Sequence, residues 1–135
     1  MLGKMLMEIR QNIQDEDRKE QKIIVAGGRD FNNYKLLSKK LDYFFSSCKP
    51  VVVCGEAKGA DSLGRKYAEE HHILIMSFPA DWSKGKGAGY IRNAQMGAIA
   101  DGLIAFWDGK SKGTKHMIDV MKEFNKPVRI VKYNV

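Results

Sequence analysis

The segment Gly109-Lys-Ser-Lys-Gly-Thr114 places two lysines, two hydroxyls and two glycines within one short stretch. It follows Gly102-Leu-Ile-Ala-Phe-Trp107, an apolar run of strand length, and precedes a helical pattern. A strand that delivers the chain into such a turn before a helix is a common way to hold phosphate. Glycines let backbone N–H groups approach the anion, and the helix N-terminus adds positive potential. Lys110, Ser111, Gly113 and Thr114 are therefore candidate phosphate ligands; the competing reading is a flexible basic turn with Thr114 as helix N-cap. Upstream, Gly85-Lys-Gly-Ala-Gly-Tyr-Ile-Arg-Asn93 is again glycine-rich and basic. Arg92, with Asn93 beside it, could grip phosphate or carboxylate bidentately, or pair with a surface acid.

Gly55-Glu-Ala-Lys-Gly-Ala-Asp61 joins a buried-looking run, Val51–Cys54, to another helical stretch. Gly55 and Gly59 permit a tight turn and close backbone approach, and Lys58 could meet a phosphate. The spacing is neither that of a P-loop nor that of the dinucleotide fingerprint. Asp61 could accept hydrogen bonds from ribose hydroxyls, or merely stabilise a helix dipole. A further glycine turn, Gly27-Gly28-Arg29-Asp30, closes the first apolar run. Trp82 and Trp107 are candidates for stacking on a base, with core or rim packing as the alternative. His71 and His72 end a helix, where imidazolium suits the dipole, whereas His116 lies close to the phosphate turn. No Cys/His/Asp cluster has metal-ligand spacing and no Ser-His-acid pattern stands out, so neither a metal nor a resident cofactor is expected.

These turns need elements to hold them. From Lys22 onward short apolar runs alternate with helical stripes: strands at Ile23–Ala26, Val51–Cys54, Ile73–Phe78, Leu103–Trp107 and Pro127–Val131. Helices are expected within 32–47 and over Ala60–Glu70, Ile91–Ala100 and Thr114–Phe124. Strands that are apolar throughout and alternate with helices imply a parallel sheet covered on both faces, a single-domain Rossmann-like α/β fold. In such sheets ligands bind beyond the carboxyl ends of the strands, where strand order reverses. The glycine-bearing turns all fall at those ends.

Composition is consistent with this. The chain has 135 residues, enough for one domain with a real core, and its 44% hydrophobic and 29% charged content is ordinary for a soluble protein. The net charge of +7 falls entirely on residues 23–135, because residues 1–22 hold five basic and five acidic groups. A basic globular body suits an anionic partner, a nucleotide or a nucleic-acid backbone, or else simply keeps the protein soluble. No apolar run spans a membrane, no signal peptide is evident, and Cys48 and Cys54 read as reduced thiols, so a cytoplasmic location is expected. Residues 1–21 read as an N-terminal extension ahead of a nucleotide-binding domain over 22–135. Met5, Ile9 and Ile13 could form an amphipathic turn or two within it, as an oligomer contact or a flexible lead-in.

Five ordered blocks, GGRDF (27–31), VVCGEAKGADSLGRKYAEE (52–70), FPADW (78–82), GAGYIRNAQM (87–96) and IAFWDGKSKGTKHMI (104–118), resemble the SLOG superfamily. The nearest branch is that of small DUF2493/YspA-related proteins, often encoded by phages and mobile elements. The resemblance implies a Rossmann-like fold that binds a nucleotide or a nucleotide-derived signal as sensor, carrier or sequestering module. Its Lonely Guy phosphoribohydrolases cleave the base–ribose bond with a GGxGT-type loop, a glutamate two residues after the threonine, and an arginine on the preceding helix. Gly113-Thr114 and Arg92 fit that pattern, but His116 occupies the glutamate's position. The resemblance thus makes binding the first expectation. N-glycosidic hydrolysis, with Arg92, Asp61 and His116 as candidates, is the alternative. Nucleic-acid binding comes last, since the DNA-processing DprA proteins share the superfamily. Domains of this kind often pair, so a homodimer is a further expectation.

Overall fold

A computed structural model describes residues 19–134. Five strands alternate with four helices: β1 (Glu20–Gly27), α1 (Tyr34–Phe44), β2 (Lys49–Cys54), α2 (Ala60–Glu70), β3 (Leu74–Ser77), α3 (Ala88–Ile99), β4 (Gly102–Trp107), α4 (Lys112–Glu123) and β5 (Val128–Lys132). A single 3₁₀ turn, Trp82–Lys84, interrupts the connection between β3 and α3. The strands pair in parallel in the order β3-β2-β1-β4-β5. This is the expected Rossmann-like α/β fold, with helices on both faces.

The continuous apolar strands are needed because successive residues feed opposite layers. Val25, Val52, Ile104 and Phe106 point into one layer with Leu37, Leu41 and Tyr67 from α1 and α2. Ile24, Ala26, Val53, Leu103 and Ala105 point into the other with Met96, Met117, Ile118 and Met121 from α3 and α4. Phe106 is wholly buried and meets Phe31 at a ring separation of 5.0 Å. Truncating it to alanine would cost about 3–5 kcal/mol.

The chain winds outward from β1 through β2 to β3, then returns to place β4 on the other flank of β1. Ile24 sits beside Leu103 in that pair, and the Gly28 N–H donates to the Phe106 carbonyl at 3.1 Å. The strand order therefore reverses between β1 and β4, and a crevice opens above their carboxyl ends.

Helix α2 coincides with the expected Ala60–Glu70. β1 begins earlier than its apolar run, because Glu20, Gln21 and Lys22 pair in register with Lys49, Pro50 and Val51 through backbone groups indifferent to side-chain polarity. α3 begins at Ala88 rather than Ile91, since Ala88-Gly89 carry no apolar stripe to announce a first turn. The amphipathic stretch at Met5–Ile13 lies outside the described residues. Among the described residues, no helix is long and apolar enough to cross a membrane.

Candidate functional site

A cleft of about 720 Å³ opens at the β1/β4 reversal. Gly27 and Gly28 form its floor at the end of β1, with Arg29 and Asp30 just beyond. Asp61 enters from the first turn of α2, Trp82 and Lys86 from the β3–α3 connection, and Tyr90, Arg92 and Asn93 from α3. Asp108, Ser111, Gly113 and Thr114 close it at the start of α4.

The first two loops interlock backbone to backbone. Gly59 has φ +77°, and any Cβ there would run into the Gly28 carbonyl, which accepts from the Ala60 N–H at 3.3 Å. Gly28 is closed in from its other side by the Tyr133 hydroxyl, which donates to Asp30 Oδ1 at 2.8 Å.

Asp61 and Arg92 meet around Gly55. The Gly55 N–H donates to Asp61 Oδ2 at 3.2 Å, and the Gly55 carbonyl accepts from Arg92 Nη1. Only 5% of Asp61 is exposed. Burial pushes its carboxyl up to about 6, opposed by the Arg92 guanidinium and by backbone N–H groups of Gly55, Ala57 and Gly27. Asp61 therefore does more than complement a helix dipole: it anchors the β2–α2 loop and presents a poorly solvated carboxyl to the cleft.

Helix N-termini supply the other polar groups. α1 is capped conventionally, Asn33 Oδ1 accepting from the Leu36 N–H at 3.0 Å. Helices α2, α3 and α4 have no side-chain cap hydrogen bond. At α4, Ser111 Oγ instead lies 3.1 Å from Thr114 Oγ1. Asp108 Oδ1 accepts from the N–H groups of both Lys110 and Ser111 at 2.8 Å, which holds its carboxyl below the usual range. Two amides of the expected phosphate turn are thus already engaged, leaving the first-turn amides of α4 and the two hydroxyls.

Asn93 is buried and ties α3 to α4. Its Oδ1 accepts from Arg92 Nε at 3.1 Å, and its Nδ2 donates to the Gly113 carbonyl at 3.3 Å and lies 3.1 Å from His116 Nδ1. An amide nitrogen only donates, so His116 Nδ1 accepts. His116 stacks on Tyr90, ring centroids 4.2 Å apart, and does not itself line the cleft.

Of the residues expected from sequence, Gly27, Gly28, Arg29, Asp30, Asp61, Trp82, Arg92, Asn93, Ser111, Gly113 and Thr114 come together here. Gly55 and Gly59 stand behind the wall as loop hinges. Lys58 and Lys110 are exposed and do not line the cleft. Trp107 packs against the α3/α4 layer and donates its indole N–H to the Ser111 carbonyl at 3.1 Å, bracing the turn from below. Sequence reasoning does not single out Tyr90, Lys86 or Asp108, which also line the cleft. Tyr90 is discoverable, three residues ahead of Asn93 on one helix face, and Asp108 as the acid preceding Gly-Lys-Ser. Among the described residues, no group of three His, Cys, Asp or Glu side chains could hold a metal ion.

Fold and site together define a single Rossmann-like α/β domain with a polar cleft at its switch point. Residues 21–85 match the model of the YspA, cpYpsA-related SLOG family, which bears out the resemblance to the SLOG superfamily. No curated protein matches the chain. Among solved structures, DNA processing protein A (DprA) from Streptococcus pneumoniae superposes with a TM-score of 0.69 at 15% identity, over 87% of this chain and 52% of that one. DprA from Helicobacter pylori, described for its single-stranded DNA binding mode, superposes with a TM-score of 0.60 at 20% identity, over 85% of this chain and 66% of that one. The chain thus spans about half to two thirds of the length of the structures it matches.

Proposed function

We propose that the cleft binds a nucleotide or nucleotide-derived small molecule, as a sensing, carrying or sequestering module. The observation that carries this reading is the convergence of three helix N-termini without side-chain caps on one cleft that also holds Arg29, Lys86 and Arg92. Acids line it too, but each already accepts a hydrogen bond: Asp30 from Tyr133, Asp61 from Gly55, Asp108 from the α4 turn. The formal charges of the lining balance, so what favours an anion is the direction of the uncapped helix amides. Phosphate would sit against the first turn of α4 with Ser111 and Thr114, a ribose hydroxyl against Asp61, and a base against Tyr90 and Trp82 at the mouth. Isothermal calorimetry with AMP, cyclic nucleotides and ADP-ribose tests this. Binding that is lost in Thr114→Val together with Arg92→Ala supports it; no binding of any of these ligands overturns it.

A second reading has its own support. Trp82 is 60% exposed in a connection that also carries Lys84 and Lys86, and the Helicobacter pylori neighbour is described as binding single-stranded DNA. Stacking aromatics beside surface lysines suit a single strand, whose affinity would fall steeply with salt. Titration of a labelled oligonucleotide at two salt concentrations separates this from small-molecule binding. N-glycosidic hydrolysis ranks lower, because the candidate His116 stands behind Tyr90. Released base in an AMP incubation that disappears with Arg92→Ala and His116→Ala would reinstate it.

A further inference from the structure

The amino end of the sheet, opposite the cleft, carries an apolar groove of about 350 Å³. Ile23 of β1, Phe44 and Phe45 at the end of α1, and Leu103 of β4 line it, with Pro127 just ahead of β5. Ile23 and Phe44 pack against the α1/α2 core layer but are only half-buried. The charges of the groove are the exposed Lys19 and Arg129, and among the described residues no acid lines it. Lys19 is also the first described residue. Its carbonyl accepts from the Lys49 N–H at 3.0 Å, which fixes where residues 1–18 leave the sheet.

We propose that residues 1–18 turn back at Lys19 and seat Met5, Ile9 and Ile13 in this groove. Three features select the chain's own extension as the occupant. The first is place. A segment tethered at the lip of a groove is present there at an effective concentration of about millimolar, which a free partner rarely matches. Residues 14–18 extend to at most about 17 Å, more than the width of a cavity of this volume, so they can reverse the chain over Lys19. The second is composition. Residues 1–13 carry three methionines, two leucines and two isoleucines, far more apolar surface than a solvated tail has use for. Methionine also fills irregular gaps well. The third is charge. Residues 1–18 hold four acids against three bases, whereas the rest of the chain carries +8. Asp15, Glu16 and Asp17 fall within four residues of Lys19, where they would face the basic rim. The body of a second copy, as basic as the first, is repelled from that rim.

The inference stands apart from any ligand, and amide NMR spectra of the full chain test it. Met5→Asp with Ile9→Asp and Ile13→Asp should shift the amides of Ile23, Phe45 and Gly102, and leave those of Gly28 and Thr114 in place. Cys48 also lines the groove and should react with iodoacetamide severalfold faster in that variant, with buried Cys54 unaffected. Both differences should be independent of protein concentration. If three added charges disturb folding, Ile9→Asp alone reads the same amides and the same thiol. Groove amides that hold their positions, or a Cys48 rate that does not change, overturn the proposal. So do differences that fade on dilution, which would make a second copy the occupant.

Discussion

Helices α1 and α4 rise from the same end of the same sheet, yet their first turns are finished differently. Asn33 closes α1 from within, and the pocket beside it shares Asp30 with the main cleft. The α4 turn engages its side chains with one another, Ser111 with Thr114 and Asp108 with two amides, while its own first-turn donors face the cleft. A capped helix is satisfied without a ligand; an uncapped one keeps donors that water or an anion must satisfy. The difference separates a self-satisfied end of the rim from one whose helix donors are left over.

Five substitutions would break or sharpen that contrast. The largest effect is expected at Gly59, where a Cβ meets both a left-handed backbone and the Gly28 carbonyl. Gly59→Ala should cost about 3 kcal/mol in denaturant unfolding and open the cleft floor. Gly87→Ala, at an ordinary φ of −78° with open space around it, should be close to neutral. A similar loss at both positions would mean that the loop interlock is not what shapes the cleft floor.

Asp61→Asn comes next and depends on pH. The folded carboxyl titrates near 6 and the unfolded one near 3.8, so its stabilising contribution is complete below pH 3.8 and is lost as pH rises through 6. Relative to Asp61→Asn, the wild type should lose up to about 3 kcal/mol of stability across that window, as read from thermal unfolding at several pH values. A flat difference would show that Asp61 is not desolvated. At Arg92, replacement by alanine should weaken AMP binding about tenfold to a hundredfold, the worth of one or two charge-assisted hydrogen bonds. The smallest effect is the control: Asn33→Ala should cost about 1 kcal/mol of stability and leave calorimetric AMP affinity unchanged. If it weakened binding as Arg92→Ala does, capped and uncapped ends would not be functionally distinct.

Much of this is legible in the residue order because the signals are local. Unbroken apolar runs announce strands buried on both faces, and the stripe of Leu63, Tyr67 and Ala68 marks α2. The glycine turns locate the rim. What stays hidden is partnership across the chain. Nothing in Trp107 shows that its indole would brace the Ser111 carbonyl, nor in His116 that Tyr90 would lie over it. Lys58 and Lys110 have the right chemistry for phosphate, but the turns carrying them leave those side chains exposed, away from the cleft. Turn geometry, set by Gly59 and by Asp108, decides which cations reach the cleft.

The reversal of strand order also determines when the site can exist during synthesis. β1 is made before β2 and β3, and its neighbour β4 only after both; Lys22 waits 79 residues for Asp101. Residues 21–85 end before α3, β4 and α4, so a nascent chain ending there holds Gly27, Gly28, Asp61 and Trp82 but not Arg92, Asn93, Ser111 or Thr114. Closing the central pair is a long-range step that local propensity cannot hasten. A small molecule bound across this cleft would therefore stabilise only the finished domain.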